Sequence, residues 1–346
     1  MSGRNKLNIV IVGGGGVAVG LLGLSQLGKK IDRSKYRIVL VNPRPFYVHL
    51  LVGARATVTS DGNFGERALL PFEGVLEEDD ELVVGTAASI QRPDGATGGQ
   101  VILENGVQVP FAILVLGTGS RWPDGLNWPN TKEEIRGWLA DRYKRIADAK
   151  SIVVAGAGAV GLEISGELRH CYPNTEVTLV QKAAHVLNDA YPDRFRSFAE
   201  KQLRETGVKI ILDDTVMDGQ PENGVVKTAK GRHVAADLLI KAVGTTPNTE
   251  FLRSLPDALS STGHVKVQPT MQLISYPEIF AAGDIIETKQ QRNISKCPPQ
   301  AAVITANIVA LTKGTQPANK YSGYTEALAL LFGPSIGALY IGILWG

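Results

Sequence analysis

The sequence predicts an α/β protein made of two doubly wound units, each with a parallel sheet. Two stretches, residues 7–41 and 151–180, each show a strand pattern, a glycine-rich turn, a helix pattern and a second strand. The chain is also 346 residues long, which is more than one hydrophobic core usually holds, and 44% of it is apolar. We therefore expect two domains with separate cores.

The strand and helix patterns alternate along the chain. The first repeat predicts a strand at 7–12, a helix at 17–27 and a strand at 37–41. The second predicts a strand at 151–155, a helix at 162–170 and a strand at 176–180. Further strands are predicted at 82–90, 101–103, 113–116, 208–212, 238–243 and 279–282. A last helix is expected after Pro298 and Pro299, ending near Thr312.

The composition argues against several classes of protein. The 36 Lys and Arg residues nearly balance the 34 Asp and Glu residues, and no long basic run exists, so we expect no nucleic-acid partner. The two cysteines, Cys171 and Cys297, lack a CxxC or metal-ligand spacing, so neither a disulfide framework nor a metal site is expected. The first apolar run is too short for a signal peptide, and Ser2 takes the place of the glycine needed for myristoylation. We expect an intracellular protein at the cytoplasmic face, with a peripheral membrane or mitochondrial association left open.

The first glycine-rich turn matches the GxGxxG/A fingerprint of dinucleotide binding. Its best register uses Gly13, Gly15 and Ala18, with Gly14 inside the turn. A pyrophosphate at a helix N-terminus needs a close approach of the backbone, which a Cβ would block. The motif does not require glycine at positions 14 and 16. For a single match, a turn that only closes a βα unit is the alternative.

A second fingerprint favours dinucleotide binding over a turn that only closes a βα unit. Gly156, Gly158 and Gly161 form an unbroken GxGxxG after a strand and before a helix. Two coincidental matches on equivalent elements are improbable. The sequence therefore predicts two bound dinucleotides.

The acidic residue that usually binds the ribose hydroxyls at the end of the second strand is absent from both units. Asn42 takes its place in the first unit and Gln181 in the second, with Arg44 and Lys182 close by. An amide does not repel a 2′-phosphate as a carboxylate does, so NADH and NADPH both remain open. Arg44 and Arg55 are candidates for the diphosphate of the first nucleotide, and exposed loop cations are the equal alternative.

Two further motifs give the chain a resemblance to the two-dinucleotide flavoprotein disulfide-reductase superfamily, in which FAD occupies the first unit and NAD(P)H the second. Residues 114–120 resemble its "ATG" segment, with Gly117 in place of alanine. Residues 276–284 resemble its second FAD motif, in which the aspartate, here Asp284, holds the ribitol. The resemblance implies a glutathione-reductase-like fold with the second domain inserted in the first. An FAD domain is expected at 1–125 and 250–314, an NAD(P)H domain at 126–249 and an apolar C-terminal segment at 315–346.

Within the superfamily, residues 42–55, 156–167 and 299–309 are most similar to the apoptosis-inducing-factor-like and ferroptosis-suppressor-like branch, which neighbours type II NADH dehydrogenases. This resemblance implies non-covalent FAD, NADH or NADPH as co-substrate, and a quinone-like acceptor. It also implies that Glu163 lies near the nicotinamide and flavin as a catalytic residue. Without the resemblance, Glu163 would be interpreted as a surface residue of a helix.

The helix after Pro299 is expected to direct the backbone N–H groups of Gln300 and Ala301 at the flavin edge where negative charge develops. A plain packing helix is the alternative. The other candidate cofactor-binding residues are Ala87, Thr118, Gly119, Gly244 and Gly283.

The cysteines bear on the electron acceptor. Disulfide reductases of this fold need a CxxxxC or CxxC pair beside the flavin, which this chain lacks, and Cys297 is best interpreted as a small core residue. We expect electrons to pass directly from the flavin to a quinone or to oxygen. The alternatives are a reductase for a ferredoxin or rubredoxin, and a redox-sensing or death-signalling module whose turnover is incidental.

The stretch 327–346 contains no charged residue. Its length is at the lower limit for a membrane span, but Pro334 and four glycines interrupt it. A packed or interfacial apolar element with peripheral membrane contact is expected in preference to a transmembrane helix.

Overall fold

The computed structural model describes residues 6–93, 97–122, 126–217 and 219–346. The predicted domain boundary at residue 125 lies outside these residues. Contacts between Cα atoms divide the chain into two units. Unit 1 comprises Met1–Val48, Leu70–Arg121 and Thr246–Tyr324, and unit 2 comprises His49–Leu69, Trp122–Thr245 and Thr325–Gly346.

The strands are numbered in chain order. Those in the first third of the chain are β1 (Leu7–Val12), β2 (Tyr36–Asn42), β3 (Phe46–Val48), β4 (Leu69–Pro71), β5 (Glu81–Val84), β6 (Ala87–Gln91), β7 (Gly99–Leu103), β8 (Gln108–Phe111), β9 (Ile113–Leu116) and β10 (Ser120–Arg121). The others are β11 (Ser151–Ala155), β12 (Glu176–Val180), β13 (Lys209–Ile211), β14 (Val225–Lys227), β15 (His233–Ala235), β16 (Leu238–Lys241), β17 (Thr246–Pro247), β18 (Gln272–Leu273), β19 (Tyr276–Ala281), β20 (Ala327–Leu331), β21 (Gly337–Ile341) and β22 (Leu344–Trp345).

The α-helices are numbered in the same way. They are α1 (Gly16–Val19), α2 (Leu27–Lys30), α3 (Gly53–Ala56), α4 (Phe64–Arg67), α5 (Lys132–Asp148), α6 (Ala159–Cys171), α7 (Asp193–Glu205) and α8 (Cys297–Thr312). A π-helical turn covers Gly20–Leu24, and 3₁₀ turns cover Leu50–Val52, Asp61–Asn63, Glu250–Ser254, Gly283–Ile285 and Ile294–Lys296.

Unit 1 contains a six-stranded sheet in the order β18-β19-β9-β1-β2-β5. All neighbouring pairs are parallel except β18 with β19. The runs 9–12, 38–41 and 114–116 are almost fully buried, as expected for parallel strands covered on both faces. The strand order reverses at β1, which lies between β2 and β9, and ligands bind at such a point in open α/β sheets.

Unit 2 contains a four-stranded parallel sheet in the order β13-β12-β11-β16. Its order reverses at β11, between β12 and β16. Helix α5 begins with a capping box, in which the Thr131 side chain accepts from the Glu134 N–H and the Glu134 carboxylate accepts from the Thr131 N–H. Phe195 of α7 is fully buried in the core of this unit.

The prediction of one continuous helix at 17–27 is wrong. After α1 the chain forms the π-helical turn, breaks at Gln26, where φ is +50°, and resumes as α2. At Gly20, within this turn, a Cβ would lie 2.8 Å from the Cβ of Ala301, so α8 passes too close for a larger residue. The predicted strand at 82–90 is likewise interrupted, since Gly85 and Thr86 separate β5 from β6.

The uncharged C-terminal stretch forms an antiparallel sheet in the order β20-β21-β22. Leu330 and Tyr340 are buried, and the Tyr340 ring centroid lies 5.2 Å from that of Phe195 on α7. Trp345 lies against Phe198, at 5.4 Å between ring centroids. Among the residues that the structure describes, none forms a helix with the length and hydropathy needed to cross a bilayer.

Candidate functional site

The glycine turn of unit 1 lies at the carboxyl end of β1. Gly13 has a φ of +104°, and its N–H donates to the Val41 carbonyl at 2.8 Å. A Cβ on Gly13 would lie 2.4 Å from the Gly117 carbonyl oxygen. A Cβ on Gly117 would in turn lie 2.8 Å from that of Val17, which explains glycine at this point of the "ATG"-like segment. The turn and the end of β9 are therefore packed backbone against backbone.

The two glycines that the fingerprint does not require have packing roles. A Cβ on Gly14 would lie 2.5 Å from the Phe72 ring and 2.8 Å from the Asn42 side chain. A Cβ on Gly16 would lie 3.2 Å from Cys297 Sγ. Because these contacts join residues distant in the sequence, the motif alone did not predict them.

Packing within the protein does not explain why the middle position of each fingerprint is a glycine. Around Gly15 and Gly158, apart from the glycine and its immediate neighbours in the chain, no atom of the described residues lies within 4 Å of a built Cβ. The other two glycines of the second turn are closely packed. A Cβ on Gly161 would lie 1.9 Å from the Gly156 carbonyl oxygen, and a Cβ on Gly156 would lie 2.7 Å from the Ala242 carbonyl oxygen. Open space at the middle glycine is what a pyrophosphate against the backbone requires, so both turns fit a dinucleotide.

An amide side chain holds each turn from the end of the neighbouring strand. Asn42 Oδ1 accepts the Gly14 N–H at 2.8 Å, and Asn42 Nδ2 donates to the Arg44 carbonyl at 2.7 Å. In unit 2, Gln181 Oε1 accepts the Ala157 N–H at 3.2 Å, and Gln181 Nε2 donates to the His185 carbonyl at 3.3 Å. Both amides are thus engaged with the protein backbone, and their predicted contact with ribose stays a prediction.

The second FAD-like motif of unit 1 ends close to the start of α8. Ser120 Oγ donates to Asp284 Oδ2 at 3.1 Å, and burial raises the pKa of the Asp284 carboxyl. The Gln300 side chain, 3% exposed, accepts the Gly283 N–H at 2.8 Å. Ala301 is fully buried in the core of unit 1. The structure therefore gathers Asp284, Gly283 and Gln300 at one end of the sheet of unit 1.

Other predicted residues of unit 1 have mainly structural contacts. Thr118 Oγ1 donates to the Asn248 carbonyl at 2.6 Å, and Gly119 has a φ of +68°. Ala87 begins β6 and pairs with Leu103. Burial lowers the pKa of the Arg44 guanidinium. The roles of these residues in cofactor binding stay predictions.

A cavity of about 400 Å³ lies over the carboxyl ends of the strands in unit 2. Five of its lining residues were predicted from the sequence: Gly156, Gly158, Gln181, Lys182 and Gly244. Sequence reasoning missed the rest of the wall, which includes Asp214, Thr215, Val216, Lys241, Ala242 and Val243. The available signal was the parallel sheet itself, because residues after β13 and β16 must emerge at the same edge as the glycine turn.

Glu163 lies on α6, two residues after Gly161. Its Oε1 accepts the backbone N–H of Leu331, in the C-terminal sheet, at 3.4 Å. Burial raises the pKa of the Glu163 carboxyl to about 7, and the negative charge of Glu167 adds to the rise. At neutral pH this carboxyl can therefore hold a proton or release it.

Arg55 lies in unit 2, where its Nη1 contacts Glu167 Oε2 at 2.8 Å. The Glu167 side chain is 5% exposed, and burial raises the pKa of its carboxyl against the opposing effect of Arg55. The Arg55 guanidinium therefore has a partner within unit 2. Its predicted contact with the diphosphate of the first nucleotide stays a prediction.

Comparisons with known proteins agree with this geometry. The chain matches the family described as pyridine nucleotide-disulphide oxidoreductase over residues 7–303. It is 37% identical over 284 residues to the FAD-dependent oxidoreductase FVFD30 of Flammulina velutipes, covering 81% of this chain and 88% of that protein. It is 28% identical to ferroptosis suppressor protein 1 of Mus musculus, covering 97% and 90% respectively.

Solved structures show the same fold. The NAD-dependent persulfide reductase from A. fulgidus aligns with a TM-score of 0.75 at 20% identity, over 96% of this chain, but the chain spans only 63% of that protein. A ferredoxin reductase from Rhodopseudomonas palustris aligns with a TM-score of 0.73 at 22% identity, over 96% of this chain and 81% of that one.

These comparisons confirm the predicted α/β fold class with two Rossmann-like dinucleotide-binding domains, and the predicted resemblance to the apoptosis-inducing-factor-like branch. The family match covers far more than half of the chain, and both glycine turns fit a dinucleotide. The chain belongs to the pyridine nucleotide-disulphide oxidoreductase family, an assignment that supports FAD and NAD(P)H as its cofactors.

Proposed function

We propose that this protein is an NAD(P)H:quinone oxidoreductase in which FAD, held at the first glycine turn and Asp284, passes electrons to a quinone-like acceptor or to oxygen. Bound FAD supplies the redox chemistry, since it accepts hydride from a nicotinamide and gives up electrons to a second substrate. The protein's residues hold the two nucleotides, orient them and handle protons. The observation that carries the proposal is the state of the two thiols.

Neither thiol is suited to relay electrons. Cys171 is the last residue of α6 in unit 2, and burial raises the pKa of its thiol. Cys297 begins α8 in unit 1, is 7% exposed, and burial raises the pKa of its thiol to about 12. The sequence holds no other cysteine. Because the thiolate is the reactive form, this chain supports direct transfer from the cofactor to an acceptor without a disulfide step.

Glu163 favours an acceptor that takes up protons. Reduction of a quinone to a hydroquinone consumes two protons with two electrons, whereas a ferredoxin or rubredoxin takes up electrons alone. A half-buried carboxyl with a pKa of about 7 can donate a proton at neutral pH and be protonated again. We assign this role to Glu163 because it follows the second fingerprint on the same helix.

An exposed apolar face supports peripheral contact with a membrane, where lipid-soluble quinones reside. On the outer face of the C-terminal sheet, Leu331, Leu339 and Ile341 are 58%, 47% and 48% exposed, and Ile343 and Leu344 are 92% and 72% exposed. Uncharged surfaces of this kind commonly mark interaction sites. We propose that this face touches the lipid interface on the cytoplasmic side.

The redox proposal is tested by anaerobic stopped-flow spectroscopy of the purified protein. NADH or NADPH is expected to bleach a flavin spectrum, and a water-soluble quinone is expected to restore it faster than oxygen does. Reoxidation by a ferredoxin but not by quinone would indicate the reductase alternative. A colourless preparation free of FAD, or reduction without transfer to any small acceptor, would refute the proposal.

The membrane proposal is tested separately by co-sedimentation with phosphatidylcholine vesicles. The double variant I343D/L344D is expected to lose vesicle binding. Leu24, exposed by 69% in unit 1, offers the matched control L24D, which is expected to bind like the parent protein. Vesicle binding that is absent from the parent, or unchanged in the double variant, would contradict this part.

A further inference from the structure

We propose that the cavity of unit 2 prefers the 2′-phosphorylated nucleotide NADPH over NADH, and that Lys182 is the residue that recognises the phosphate. This inference rests on the proposed NAD(P)H-dependent function and names the form of its co-substrate. Three features of the cavity carry it. The amide of Gln181, at the ribose position, is engaged with the backbone; the Lys182 ammonium beside it has no partner among the described residues; and the carboxylate of Asp214 is occupied by donors of the protein.

The ribose position lies at the end of β12. In folds of this type the side chain after the second strand faces the adenosine ribose, and a carboxylate there binds the 2′-hydroxyl and repels a 2′-phosphate. This position holds Gln181, whose Oε1 accepts from Ala157 N–H and whose Nε2 donates to the His185 carbonyl. The 2′-hydroxyl therefore has no carboxylate partner here, and a 2′-phosphate meets no negative charge.

Lys182 is the next residue and also lines the cavity. Its side chain is exposed, and no hydrogen-bonding or ionic partner for its ammonium is found within the described part of the chain. An ammonium is a compact point charge suited to phosphate. Lys241 also lines this wall, but it already interacts with another part of the protein, so the inference rests on Lys182 alone.

Asp214 is the acid on this wall, but its carboxylate is occupied. The residue is 3% exposed and accepts hydrogen bonds from Thr228 Oγ1 at 2.7 Å, Thr215 N–H at 2.9 Å and Lys230 N–H at 3.1 Å. Arg232 Nε lies 3.5 Å from its Oδ2. Because these donors and Arg232 engage the Asp214 carboxylate, this acid is held away from the ligand, and Lys182 is the charged side chain that we assign to the 2′-phosphate.

The test is isothermal titration of the purified holoprotein with NADP⁺ and NAD⁺, without an electron acceptor. The parent protein is expected to bind NADP⁺ the more tightly. The K182A variant is expected to bind NADP⁺ about 10-fold more weakly, the scale of one charge-assisted contact, with NAD⁺ binding unchanged. The K182R variant keeps the positive charge and is expected to restore most of the affinity for NADP⁺.

Lys227 provides the control, since it is an exposed lysine of β14 in the same unit and lies outside the cavity lining. The K227A variant is expected to match the parent with both nucleotides. The Q181E variant introduces the missing carboxylate and is expected to weaken NADP⁺ binding while NAD⁺ binding holds or improves. Raised salt should weaken NADP⁺ binding more than NAD⁺ binding, and this difference should shrink in K182A.

Two results would overturn the inference: a parent protein that binds NAD⁺ at least as tightly as NADP⁺, or a K182A variant whose ratio of the two affinities equals that of the parent. Because binding is measured without turnover, either result leaves the proposed quinone reduction standing. Conversely, a protein that prefers NADP⁺ through Lys182 but does not reduce quinones would keep the inference and refute the acceptor.

Discussion

In unit 1 the third position of the glycine fingerprint is Ala18, which is fully buried, whereas in unit 2 it is Gly161, where a Cβ would lie 1.9 Å from the Gly156 carbonyl oxygen. The two turns therefore share a pattern but not a packing arrangement. In unit 1, Gly16 and Gly20 bring the turn and the helix after it against α8. In unit 2 the close approach is made within the turn itself. Most glycines of these motifs thus allow close packing within the protein, whereas the middle glycine leaves space for a ligand.

The largest expected effect is that of G161A. The added methyl group meets backbone, which cannot move aside cheaply, so the free energy of unfolding of unit 2 should fall by about 3 kcal/mol or more. A18G in unit 1 makes the opposite change and should cost only about 1 kcal/mol, through helix propensity and a lost methyl group. Urea denaturation monitored by circular dichroism measures both. Equal losses for the two variants would show that the turns are packed alike.

Removal of the two amide side chains should have intermediate and unequal effects. N42A leaves the buried Gly14 N–H without its 2.8 Å partner and should cost about 2 kcal/mol. Q181A breaks longer bonds of 3.2 and 3.3 Å at a half-buried residue and should cost at most about 1 kcal/mol. The midpoints of thermal unfolding compare the two. A larger loss for Q181A would contradict the geometry described above.

Glu163 should make the stability of unit 2 depend on pH. An unfolded Glu titrates near 4.5, whereas burial raises the pKa of folded Glu163 to about 7. Between these values the folded state holds a proton that the unfolded state has lost. Raising the pH through this window should therefore lower the free energy of unfolding, by about 1–2 kcal/mol for a half-buried group.

The E163Q variant should remove this dependence, since its amide stays neutral. Denaturation at pH 5 and pH 8 checks the difference between parent and variant. A parent protein that is equally stable relative to E163Q at both pH values would show that the Glu163 carboxyl titrates normally.

The smallest effects on stability are expected at the middle glycines. G15A and G158A place a methyl group in open space at φ values of −89° and −73°, which alanine adopts readily, so the folded units should keep their stability within about 0.5 kcal/mol. Ligand binding should nevertheless fail selectively. G15A is expected to lower the FAD content of the purified protein, and G158A to weaken NAD(P)⁺ binding at least about 10-fold.

These two variants test the assignment of one nucleotide to each unit. Flavin absorbance and isothermal titration are measured on both. Loss of FAD from G158A with intact FAD in G15A would reverse the assignment.

Local patterns were predicted well, and contacts between distant residues were not. The fingerprints and the buried strands around them depend on runs of neighbouring residues, so strand 151–155, for example, coincides with β11. The prediction failed for helix 17–27, because the apolar spacing indicates one continuous helix whereas the structure divides it into α1, a π-helical turn and α2. The cavity wall of Asp214, Thr215 and Lys241 was missed because none of these residues belongs to a sequence motif.

By itself, the sequence determined that two dinucleotide turns exist and that each follows a buried strand. It also determined that no pair of cysteines is spaced as a redox dithiol. Each of these properties depends only on residue types at fixed spacing along the chain. Tertiary structure decided which glycines make room for packing, that Asn42 and Gln181 hold the turns, and that residues 49–69 and the C-terminal stretch join unit 2. It also decided the pKa of Glu163, since burial arises from neighbours brought together only by folding.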